Sequence, residues 1–140
     1  MASGLAAEQA AIAKQLLEAL ALYEADMGTL VAHGLDPKLA QSLGEQFDRM
    51  RMYVTALPAL SVIWVELLIS RFEITQALWS SRTGGPTNRL VHLHEYHVAI
   101  LREVRLKCQG YVQAAAPPTA PSRPEPAPAA PAQGNPGSPG

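Results

Sequence analysis

The residues most suited to chemistry are gathered in one short run, His92-Leu93-His94-Glu95-Tyr96-His97. Imidazoles and a carboxylate at such density suggest a metal centre, and a helix can direct two side chains at one ion when they stand three or four residues apart. His94 and His97 meet that spacing, and so do His92 and Glu95, but the two pairs point in different directions. A zinc-protease helix needs its second histidine at position 98, where the chain has Val98. The same valine breaks the carboxylate–histidine spacing of di-iron bundles, because it stands three residues after Glu95. His94 and His97 are thus weak metal candidates. The expectation is that no metal or other cofactor is held and that no residue is catalytic.

A second role suits His97 better. It falls in an otherwise apolar row made by Leu90, Leu93, Ile100, Val104, Cys108 and Tyr111. One polar group in such a row fixes helix register at some cost in stability. If buried, His97 should be neutral and hydrogen-bonded, with Glu66 or Glu73 as partner. Cys108 shares the row and reads as a small hydrophobe rather than a nucleophile. Ser61, Ser80 and Ser81 have no base at usable spacing.

The elements that must carry these residues are helical. Leu16, Leu20, Tyr23, Met27 and Leu30 recur at spacings of four and three, which predicts a helix from about Leu5 to His33. Gly34 ends it, and Asp36-Pro37 caps and starts the next. So short a connection folds the two helices into an antiparallel hairpin. Leu39, Leu43, Phe47, Met50, Val54 and Leu57 form the stripe of the second helix. Pro58 either kinks one long helix running to about Ser80 or separates a second helix from a third. Thr83-Gly84-Gly85-Pro86 then predicts a loop, with a last helix from about Thr87 to Gln113.

The fold expected is therefore all-α: an antiparallel up-down bundle of three to four helical segments over residues 1–113. Residues 114–140 should form a disordered Pro/Ala-rich tail. Of the chain's twelve prolines, nine lie between Pro117 and Pro139. A stretch whose apolar side chains are only alanine and proline cannot offset an ordering entropy of about 1–2 kcal/mol per residue. Deleting residues 114–140 should leave the melting temperature and helical content nearly unchanged in a circular-dichroism melt. A fall of many degrees would show that the tail docks on the bundle.

Composition narrows the functional classes. The net charge of −1 over 140 residues argues against a generally basic nucleic-acid binder. A lone cysteine forms no internal disulfide, and Met1 to Gln15 show no basic segment followed by an apolar run. A cytoplasmic setting is expected. Charge is also unevenly placed: residues 3–33 carry Glu8, Glu18, Glu24 and Asp26 against Lys14. Residues 82–113 carry Arg82, Arg89, Arg102, Arg105 and Lys107 against Glu95 and Glu103. Opposite signs should draw the first helix toward the last, within a chain or between two.

Between Arg51 and Arg71 the only charged residue is Glu66. This is more apolar surface than a small bundle easily covers, and an uncovered apolar patch usually marks an interface. The expected function is a non-enzymatic interaction or scaffolding module that forms a homo-oligomer, with Ile63, Trp64, Leu67 and Leu68 buried partly by the chain's own helices and partly by a second copy. Two alternatives remain: a helical protein that associates with a membrane or granule surface through residues 54–69, and a metal-dependent bundle enzyme built on the His-rich helix.

Overall fold

A computed structural model describes residues 3–80 and 87–116. Within them the chain is an all-α antiparallel bundle of four helices: α1 (Ser3–His33), α2 (Pro37–Val54), α3 (Ser61–Ser80) and α4 (Asn88–Ala115). The expected tail and the Thr83-Gly84-Gly85-Pro86 loop lie outside the described residues, apart from the first residues of the tail. Those remain helical: α4 continues through Ala115, past the boundary expected at 113.

The α1–α2 hairpin follows from three residues. Gly34 adopts φ 92°, a left-handed conformation that costs glycine nothing and would strain a side chain. Asp36 then turns its carboxylate onto the free amides of the next helix, accepting from Lys38 N at 3.0 Å and Leu39 N at 3.4 Å. Pro37 fills the first helical position, where its missing N–H is harmless. Replacing Asp36 with alanine should cost about 1 kcal/mol. A thermal melt should fall by roughly 4 °C, and an unchanged melt would show that the cap contributes nothing.

Pro58 separates two helices. The second ends at Val54, Thr55 and Ala56 turn the chain, and a single 3-10 turn over Pro58–Leu60 leads into α3. The turn is pinned from outside, because Ala59 N donates to Tyr111 Oη at 2.9 Å. Leu57 and Leu60 are fully buried, so the connection belongs to the core.

Packing follows the apolar rows. Leu16, Leu20, Tyr23, Met27 and Leu30 of α1 are all buried, against Leu43, Phe47, Met50 and Val54 of α2 and Leu90, Ile100, Val104 and Cys108 of α4. The acidic first helix lies along the basic last one, and Arg105 pairs with Glu24 across them. α2 and α3 approach less closely by backbone and meet through large side chains. Phe47 stacks on Trp64 at a centroid distance of 4.5 Å, and the Arg71 guanidinium lies 4.8 Å from the Phe47 centroid on the ring's face.

No helix among the described residues is long and apolar enough to cross a membrane. α3 is interrupted from the apolar residues before it by the turn at Pro58, and its apolar residues divide into two rows. One row turns inward: Trp64, Leu67, Ile74, Ala77 and Leu78 are buried. The other turns outward.

Candidate functional site: a sealed polar triad and an exposed apolar seam

Three polar groups from three helices meet inside the bundle. Tyr23 of α1, Ser70 of α3 and His97 of α4 have at most 1% of their surface exposed. The Tyr23 hydroxyl stands 2.9 Å from His97 Nε2, and the Ser70 hydroxyl 2.9 Å from Nδ1. One ring nitrogen of a neutral imidazole donates and the other accepts, and hydroxyls can serve either need, so the ring is satisfied on both sides. Burial, reinforced by His94 and then Arg71, pushes the His97 pKa down to about 3, so the ring is neutral at physiological pH. Burial likewise raises the Tyr23 pKa, against an opposing pull from Arg71.

A serine on an imidazole has the contact needed to make a nucleophile, but reaction also needs access for a substrate. Here both groups are enclosed. What the arrangement does is hold α1, α3 and α4 at one level, because a shift of any helix by one turn would strand a buried hydroxyl or ring nitrogen.

His97 is thus the buried polar residue that its place in the apolar row implies, but Glu66 is not its partner. Glu66 lies on the exposed part of α3, one turn before Ser70. A buried carboxylate would cost more desolvation than the serine hydroxyl that takes the place. The partners of His97 are Tyr23 and Ser70 instead, which the sequence did not point to. Tyr23 stands on the apolar row of α1, but nothing in the sequence marks the side of α3 that carries Ser70 as the inward one.

The other titratable groups of α4 are dispersed. His92 and Glu95 approach to 3.6 Å on the exposed surface. His94 is half-buried, with its pKa lowered by burial against the opposing charges of Glu24 and Glu95. His97 turns both nitrogens to hydroxyls, so His94 and His97 do not form a ligand pair. No three of the histidine, cysteine, aspartate and glutamate side chains among the described residues gather around one point as metal ligands. Cys108 is buried, and its pKa is pushed up to about 11, chiefly by burial, which keeps the thiol protonated.

The outer face of α3 is different in kind. Val62, Val65, Ile69 and Phe72 are 53–75% exposed, and Trp79 is 56% exposed. Their spacings of three, four, three and seven are those of a coiled-coil seam, with Gln76 at the position that interrupts it. At 3.6 residues per turn this row lies nearly opposite the buried row of the same helix. Leu68, 48% exposed, borders the seam on one side, and Glu66 and Glu73 on the other.

Of the four residues expected at a contact, Leu68 is the one on this face. Trp64 and Leu67 are buried by the chain's own helices, and Ile63 packs partly against the core. α3 is apolar on both sides, so sequence alone gave no means of telling its inward row from its outward one. Comparisons with protein-family models, with curated proteins and with solved structures find no match.

Proposed function

We propose that the protein is a non-enzymatic interaction module that self-associates by laying the outer face of α3 against the same face of a second copy. The observation that carries this is the exposed seam of Val62, Val65, Ile69, Phe72 and Trp79. Scattered exposed apolar residues are ordinary on a protein surface, but a row at heptad spacing, here broken at Gln76, is the pattern that interlocks with another helix. Each large side chain removed from water there contributes about 1.5–3 kcal/mol before association entropy is subtracted.

Charge selects the orientation. In an antiparallel pair the glutamate-bearing edges of the two helices meet, setting Glu66 and Glu73 against their own kind. In a parallel pair each glutamate edge faces the neighbour's Ser61, Leu68 and Thr75 edge, which carries no charge. The parallel arrangement is therefore favoured. The same two glutamates oppose docking on an anionic lipid surface, for which a helix normally places lysine and arginine beside its apolar face.

Cysteine cross-linking tests both parts. The native Cys108 is buried and should not interfere. Chains carrying Ile69→Cys, near the middle of the seam, should form disulfide-linked dimers under mild oxidation in either orientation. Chains carrying Val62→Cys, at one end, should do so only if the helices run parallel. Linkage through Ile69→Cys alone would overturn the parallel arrangement, and linkage through neither would overturn self-association by this face.

A further inference from the structure

A cavity of about 250 Å³ opens between the C-terminal end of α1, the first turns of α2 and the last turns of α3. Leu30, Leu35, Ala40, Leu43 and Leu78 supply apolar walls, and Arg71 is the one charged residue lining it. Arg71 is half-buried, and no ion pair to an aspartate or glutamate forms at its guanidinium among the described residues. Its neighbour is instead the face of Phe47.

Space for that guanidinium is built into α2. Gly44 stands in the unbroken interior of the helix, where glycine costs about 1 kcal/mol relative to alanine. A Cβ at position 44 would stand 3.3 Å from Arg71 Nη2, closer than the two would comfortably sit. The missing side chain therefore accommodates a cation that no aspartate or glutamate among the described residues approaches to ion-pair distance. A partly desolvated charge of this kind gains most from an anion brought in from outside.

We propose that this cavity binds a small amphipathic monocarboxylate, with its carboxylate on Arg71 and its hydrocarbon body among the leucines. A guanidinium presents paired N–H donors that match a carboxylate's two oxygens. One cation suits a single negative charge, whereas a phosphate dianion would call for more donors than the walls supply. The volume lies between the roughly 150 Å³ that takes up benzene and the roughly 300 Å³ of the smallest drug-sized pockets, which suits a body of about eight carbons. The site is built from one chain, and its wall at Thr75 and Trp79 borders the face proposed for association through α3.

Calorimetric titration of the full chain with sodium octanoate and, separately, with octan-1-ol tests the proposal. Octanoate should bind saturably at one per chain and at least tenfold more tightly than the alcohol. Arg71→Gln should weaken octanoate at least tenfold and leave the alcohol unchanged, which also shows that the cavity has kept its shape. Ala40→Phe, which fills the cavity, should abolish both. Equal affinity for acid and alcohol in the unaltered chain overturns the role of Arg71, even if Arg71→Gln fails to fold. Absence of saturable octanoate binding, or octanoate binding that survives Ala40→Phe, overturns the site itself.

Discussion

Replacing His97 with leucine should destabilise the bundle by about 2–4 kcal/mol, mostly by stranding the Tyr23 hydroxyl in the core. An unpaired buried hydroxyl costs about 1–3 kcal/mol, and the substitution leaves two. Ser70 can turn its proton to the carbonyl four residues earlier in its own helix, so Tyr23 bears more of the loss. Against a total stability of about 5–15 kcal/mol the effect is large, and the melting temperature should fall by roughly 10 °C. Removing all three polar groups together, with Tyr23→Phe and Ser70→Ala added to His97→Leu, should recover much of it, because no orphan then remains. A single variant as stable as the parent would show that the three groups do not hold the helices together.

The same residue gives a pH signature of known sign. Folding lowers the His97 pKa from its ordinary 6.5 to about 3. Between those values the unfolded chain takes up a proton that the folded chain refuses, so acid favours unfolding. The stabilising contribution is fully present above pH 6.5 and is lost progressively below it. From this residue alone the folding equilibrium constant falls about tenfold for each unit of pH through that interval. Carboxylates also respond to acid, but they are common to both proteins. Denaturant titrations at pH 7 and pH 5 should therefore show a steeper loss for the parent than for His97→Leu. Parallel losses would place His97 in a far less buried setting than the bundle core.

The second large effect separates the two faces of α3. Ile69→Glu with Phe72→Glu changes residues that are 55% and 62% exposed, so folding should survive nearly intact. Self-association should weaken by roughly 100-fold or more, since apolar anchors at the centre of a contact carry most of its energy. Leu67→Glu changes a residue with no exposed surface and should unfold the chain, because an unpaired buried carboxylate costs several kcal/mol. Circular dichroism distinguishes these outcomes. If the outer pair unfolds the chain as completely as Leu67→Glu does, then the outer row is part of the core.

How far these features were legible in the sequence depended on whether a residue pattern admitted one arrangement or several. α1 and the α1–α2 hairpin were readable because one helix carried one apolar row, and because Gly34, Asp36 and Pro37 each suit one position in a stop and restart. The polar interruption at His97 was readable for the same reason. Its partners were not, since pairing depends on which turn of α3 comes level with it, and a one-turn error exchanges Ser70 for Glu66. The turn at Pro58 stayed ambiguous because proline is compatible with both a kink and a break. The division of α3 into a buried row with Trp64 and Leu67 and an exposed row beside Leu68 was not readable, because with apolar residues on both sides its periodicity does not say which row the bundle buries. Arg71 gave no signal at all, because its surroundings come from residues far away in sequence, Gly44 and Phe47 among them.

The claim that α3 offers its outer face to a second copy is tested most directly by light scattering on the full chain over a concentration series reaching high micromolar. The measured mass should rise with concentration from 15.0 kDa toward twice that value. The Ile69→Glu, Phe72→Glu chain should stay at the lower mass throughout. An unaltered chain that remains soluble at 15.0 kDa across the whole series would contradict the account. The bundle and its buried triad would then stand, but the seam on α3 would have no second copy to meet.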